Sequence, residues 1–127
     1  MRPPKVPSSL CTFCHESDET IPHLFISCSY VKSLWNSFTE MWGNSLGVPT
    51  TLTKKQILLG DPSFSLLLNH IIIIIRKTIY DSKLKITTPS FTVARANVKY
   101  AQQLEGYISK KTGTLDIYLY KWGGLSA

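Results

Sequence analysis

CTFCHESDETIPHLFISC, residues Cys11 to Cys28, holds every cysteine of the chain and two of its three histidines. The spacing is Cys11-x2-Cys14-x8-His23-x4-Cys28. Three thiolates and one imidazole make a complete tetrahedral ligand set for zinc, with no position left for a reactive water. The short first gap lets one tight turn aim two sulfurs at one ion. The last gap puts His23 and Cys28 about one turn apart if the chain is helical there. Such a centre is structural, with Zn2+ as its cofactor. The other reading is three buried free thiols beside an incidental histidine, because free cysteine behaves as a small hydrophobe. His15 is a rival ligand, but its adjacency to Cys14 makes it awkward to wrap onto the same ion. An odd cysteine count without a secretory signal argues against a disulfide framework.

Working outward, residues 1–10 contain three prolines and read as a linker. His15 to Thr20 is polar and acidic and is expected to loop out. Leu24, Phe25 and Ile26 are too apolar for a solvated loop, so at least two should join the core. A helix is expected from about Ser27 or Ser29 to Trp42, because Val31, Leu34, Trp35, Phe38 and Trp42 recur at three- and four-residue steps. Gly43 and Asn44 are its expected stop. Trp35 and Trp42 on that stripe read as core residues rather than base-stacking platforms. Residues 11–42 thus form a CCHC zinc knuckle with its following helix, and residues 43–127 a helical tail.

In that tail, Thr53 is the expected cap of a short helix containing Ile57 and Leu58, stopped at Gly60. Asp61 and Pro62 are expected to start the next helix, as N-cap and first position, with its end near Ser82. The run Ile71 to Ile75 lies in it. Five β-branched residues in a row also suit a buried strand. The apolar span from Phe64 to Tyr80 is too long for one, so a buried helix, apolar nearly all round, is the expectation. Lys83 to Thr88 reads as an extended linker. A further helix should open at Thr88 or Ser90 and run to about Lys110 or Lys111, with Phe91, Ala94, Val98, Ala101, Leu104 or Glu105, and Ile108 on its inner stripe. A last short helix should run from Thr114 to Trp122. The fold class is therefore mostly α: a small zinc knuckle followed by a compact bundle of about four helices.

The formal net charge is +6 over 127 residues. Its excess sits in residues 76–111, where Arg76, Lys77, Lys83, Lys85, Arg95, Lys99, Lys110 and Lys111 face only Asp81 and Glu105. A localised excess of this kind suits a polyanion, RNA or DNA met through its phosphates, and equally a solvated basic face. Tyr80, Tyr100 and Tyr107 are interleaved with these cations and suit stacking on unpaired bases if they face outward. The most apolar run, Leu66 to Ile75, is too short to span a bilayer. With no secretory signal either, the expected location is intracellular, cytoplasmic or nuclear, with no membrane and no small-molecule partner. The four aspartates are isolated, so no polymerase pair is present, and there is no Walker-type phosphate loop. His70, in an apolar run, reads as a satisfied imidazole rather than a catalyst. The residues describe a non-catalytic module.

Glu19-Thr20, His23-Leu24-Phe25, Cys28 and Trp35 together resemble the zinc-binding segment downstream of the reverse transcriptase in LINE-type (non-LTR) retrotransposons. ILLGDPS at residues 57–63, TPSF at 88–91 and KWGGL at 121–125 resemble the C-terminal tail of the same polyproteins. The resemblance implies a nucleic-acid-associated module from the end of a larger enzyme, with the polymerase domain upstream as a partner. A structural or protein-interaction module, its zinc only stabilising the fold and its isoleucine helix docking on another domain, is the alternative.

Overall fold

A computed structural model describes residues 10–49 and 51–123. A looped segment leads into a π-helical turn, His23–Ser27, and five α-helices follow among the described residues: α1 Ser29–Leu46, α2 Lys54–Leu59, α3 Leu66–Leu84, α4 Phe91–Thr112 and α5 Leu115–Trp122. No strand occurs among these residues; Leu10 and Asp18 form an isolated antiparallel bridge. The expected linker lies outside the described residues except for Leu10, which already belongs to the metal loop.

The core is built around α3, which touches every other helix and the π turn. Its buried side is Leu67, Leu68, Ile71, Ile72, Ile75, Thr78 and Ile79. Each fully buried Leu or Ile contributes about 1.5–3 kcal/mol relative to an exposed one. Helix α1 presents Val31, Leu34, Trp35, Phe38 and Trp42 to this core, the stripe expected from the spacing. Its aromatic rings form a chain of edge contacts: Trp35 to Phe38 at 6.0 Å, Phe38 to Trp42 at 5.9 Å, and Trp42 on to Phe91 of α4 at 5.6 Å. Such pairs add about 0.5–1.5 kcal/mol each beyond their buried area.

Several boundaries differ from expectation for identifiable reasons. Helix α1 passes through Gly43 and Asn44 and stops at Gly47, the residue that adopts the left-handed conformation, φ 67°. Thr53 caps α2 as expected, in a reciprocal box with Gln56. Asp61 does not cap α3. Its carboxylate accepts from the Ser63 N–H, the Gln56 amide and the Ser63 hydroxyl, which hold it below the usual carboxylate range. That closes a local turn, and Ser65 caps α3 by accepting from the Leu68 N–H at 3.1 Å. Nor is α3 buried all round: Ile73 is 51% exposed. The Lys83–Thr88 segment is not extended at its start, because α3 runs to Leu84 and Ile86 then reverses the chain at φ 54°.

Helix α4 keeps Ala94 and Val98 inside, but its second half buries Gly106 and Ser109 while Leu104 and Ile108 face outward. Helix α5 folds back against it closely, with the Tyr118 ring about 3.1 Å from where a Cβ on Gly106 would stand. Small residues permit that approach, which a Leu or Ile stripe would prevent. The turn between the two helices is Gly113, at φ 73°.

Candidate metal centre

The metal loop is shaped by backbone bonds before any side chain is considered. The His15 N–H donates to the Cys11 carbonyl at 3.0 Å and the Cys11 N–H to Ser17 at 2.8 Å. His15 holds the left-handed conformation, φ 58°, that such a turn requires. Its ring is exposed and stands outside the cluster of thiols. The expectation that residues 15–20 loop out is therefore corrected in part. They fold back over Cys11, and Glu19 accepts from the Thr12 N–H at 3.0 Å and the Thr12 hydroxyl at 2.8 Å.

Thr20 then starts the π turn, accepting the His23 N–H on its hydroxyl at 3.1 Å. The turn closes with the Cys28 N–H donating to the His23 carbonyl at 2.9 Å, a five-residue step. Trp35 of α1 fixes it from below, its indole N–H donating to the Phe25 carbonyl at 2.8 Å. Leu24 is buried, and Phe25 and Ile26 pack against the core.

These constraints bring Cys11, Cys14, His23 and Cys28 together, their ligand atoms all within 4.8 Å of one another. Zinc bond lengths place two sulfurs about 3.8 Å apart and a sulfur and nitrogen about 3.5 Å apart in a closed tetrahedron. The Cys14 Sγ to His23 Nε2 separation is 3.4 Å. Adjustments of about 1 Å let one ion reach all four donors, and a soft set of three sulfurs with one nitrogen is the one zinc favours. Cys11 and Cys28 are fully buried within the hydrophobic core, so half of the centre is sealed from water. The N–H of Glu16, opposed by burial and reinforced by the His23 ring, brings the Cys14 thiol down to about 6. Burial pushes Cys28 up to about 11. Zinc, when bound, supplies a four-point cross-link between the loop and the start of α1.

The eight cations of residues 76–111 are not equivalent, and three of them are engaged within the fold. Arg76 is half-buried, its guanidinium donating to the Leu58 carbonyl of α2. Lys83 is paired with Glu19 on the metal loop. Lys77 is exposed and pairs along its own helix with Asp81 at 3.2 Å. Lys85, Arg95, Lys99, Lys110 and Lys111 are exposed, and none forms an ion pair among the described residues. The last four of these lie on α4, where the axis rises about 24 Å between Arg95 and Lys111. Tyr100 and Tyr107 stand exposed on the same helix, and Tyr80 is exposed on α3. Lys111 sits 5.5 Å over the Tyr107 ring. The one acid of α4, Glu105, turns the other way, accepting from Lys121 at 2.9 Å and from the Trp122 indole at 3.1 Å.

His70 joins that junction as a satisfied imidazole. Its Nδ1 lies 2.9 Å from the Lys121 ammonium and 3.3 Å from Glu105. Burial first, then Lys121, lowers its pKa against the opposing pull of Glu105. The role of Glu19 in holding the loop went unread in the sequence, because its partner Lys83 is 64 residues away. No described helix is long and apolar enough to cross a membrane.

A family model described as zinc-binding in reverse transcriptase matches residues 1–35, which include all four donors of the cluster. Neither the curated proteins nor the solved structures compared with the chain give a match.

Proposed function

We propose that the chain is a non-catalytic, zinc-stabilised nucleic-acid-binding module from the C-terminal end of a LINE-type retrotransposon reverse transcriptase. Cys11, Cys14, His23 and Cys28 hold the zinc, and polymerase and endonuclease chemistry belong to other domains of the parent polyprotein. The observation that carries nucleic-acid binding is the exposed surface of α4. Arg95, Lys99, Lys110 and Lys111 stand there with Tyr100 and Tyr107, while the helix's only carboxylate is drawn inward to Lys121 and Trp122. Exposed cations spread over about 24 Å of one helix attract a phosphate backbone of any sequence, and exposed tyrosines offer stacking surfaces to unpaired bases.

Binding of this kind weakens steeply with salt, because each neutralised phosphate releases counterions. The test is a salt titration of single-stranded RNA and DNA binding for the parent and the Arg95→Glu/Lys99→Glu double variant. Affinity should fall for all sequences alike in the variant, with a shallower salt slope and unchanged zinc content. Affinity indifferent to both reversals would refute the assignment. The alternative, in which zinc only stabilises the fold and the isoleucine helix docks on another protein, is favoured by one observation, the exposed Ile73 of α3.

A further inference from the structure

Between the π turn, α2 and α3 runs an open groove of about 470 Å³, lined by Ile21, Phe25, Leu58, Ile73, Arg76 and Lys77. Ile21 is 66% exposed and Ile73, between the buried Ile72 and the half-buried Ile74, is 51% exposed. The stripe continues along α3 at helical spacing through the exposed Leu66 and Tyr80, each seven residues from Ile73, and on to Leu84. Arg76 and Lys77 border the groove, Lys77 already paired with Asp81 along α3, and no acid lines the groove itself. Arg76 has no carboxylate partner among the described residues, and its Nε is buried without a hydrogen bond. A half-buried guanidinium held only by a neutral carbonyl leaves its charge uncompensated.

We infer that this groove receives an amphipathic helix of a protein partner, one whose apolar side chains are flanked by carboxylates. The aliphatic residues take the partner's apolar side chains in the helix-in-groove manner, and Arg76, with Lys77 at the rim, meets its acids. Charge separates this occupant from the others available. A second copy of the chain docking through the same patch would bring a second Arg76, also without a carboxylate partner, against the first. Residues 1–9 carry Arg2 and Lys5 and no acid, so they bring the same mismatch. A nucleic acid meets the cations, but an aliphatic floor offers bases neither a stacking plane nor hydrogen-bonding edges. The inference is independent of the α4 face.

The test uses the full zinc-loaded chain and two synthetic 16-residue helical peptides. Both carry leucines at i, i+3, i+4 and i+7, flanked in one by glutamates and in the other by lysines. The glutamate peptide should bind at least about tenfold more tightly by fluorescence anisotropy. Ile73→Ser should lower its affinity about tenfold, and Lys77→Gln should narrow the preference between the peptides. Zinc content and melting temperature, unchanged in both variants, exclude a folding defect. Equal binding of the two peptides, or no binding at millimolar concentration, overturns the inference. So does a sedimentation measurement showing a dimer that Ile73→Ser dissolves, or RNA affinity that falls with Ile73→Ser.

Discussion

Glu19 of the metal loop and Lys83 of α3 form an ion pair across 64 residues of sequence. One oxygen of Glu19 accepts from Lys83 and the other from the N–H and hydroxyl of Thr12, between the first two cysteines. The carboxylate is well shielded, at 14% side-chain exposure, so the pair is more than a surface contact. Removing one partner leaves the other poorly solvated. Glu19→Gln should lower stability by about 1–3 kcal/mol. The Glu19→Gln/Lys83→Met double variant should lose less than the sum of the two single ones. Urea melts of the four proteins in a double-mutant cycle measure the coupling; additive losses would show that the pair contributes nothing.

Metal removal should reach beyond the loop. Structural zinc contributes about 10–16 kcal/mol in finger peptides, comparable with the stability of a whole domain. Because Cys11 and Cys28 share the core with Val31 and Leu34, chelation should loosen α1 as well as the first 30 or so residues. Native mass spectrometry should find one zinc per chain. Cys28→Ser should lose both the metal and the cooperative thermal transition, whereas His15→Ala, exposed and outside the cluster, should keep both.

Two neighbouring isoleucines should respond oppositely to a charge. Ile72 is fully buried and Ile73 half exposed. Ile72→Asp should destabilise by more than about 3 kcal/mol or abolish folding. Ile73→Asp should stay within about 1 kcal/mol of the parent. Thermal melts of the two purified proteins decide it.

The junction of α3, α4 and α5 should weaken in acid. Burial and Lys121 lower the His70 pKa, so the folded state binds its proton less readily than the unfolded chain. Glu105 is also lowered: burial pushes it up, but the donors on Lys121 and Trp122 outweigh that. In both cases the unfolded state holds more protons once pH drops, so stability falls as pH falls. The His70 share should begin to disappear below about pH 6.5 and the Glu105 share below about pH 4.5, their unfolded values. At saturating zinc, His70→Gln should flatten the first limb of a stability–pH curve and Glu105→Gln the second. Glu105→Gln should also cost about 1 kcal/mol at neutral pH, a modest figure because the group is one-third exposed.

The helices were legible wherever one local rule sufficed. The three–four spacing of Val31, Leu34, Trp35, Phe38 and Trp42 names the buried face of α1, and Thr53 as a cap announces α2. The donors of the metal cluster were legible for the same reason, since their spacing is itself the signal. Legibility failed where a distant group took over a residue. Gln56 and Asn69 recruit the Asp61 turn, Tyr118 selects Gly106 for the inside of α4, and Leu58 and Glu19 engage Arg76 and Lys83 of the basic region. No periodicity encodes such tertiary choices.

The π-helical turn makes the chain unequally tolerant of changes in length. Residues 15–18 are exposed, and backbone bonds join them to Cys11, whose N–H donates to the Ser17 carbonyl and whose carbonyl accepts from the His15 N–H, so an added residue beside these has solvent to enter. Residues 23–28 work as a gear. The five-residue step from His23 to Cys28 sets the rotation at which the imidazole and the last thiol meet the first two. One residue fewer would relax the turn to α-helical pitch and swing His23 about 100° around the axis, away from the sulfurs. Among natural variants of this segment, insertions and deletions should therefore accumulate between Cys14 and Asp18 and be missing between His23 and Cys28.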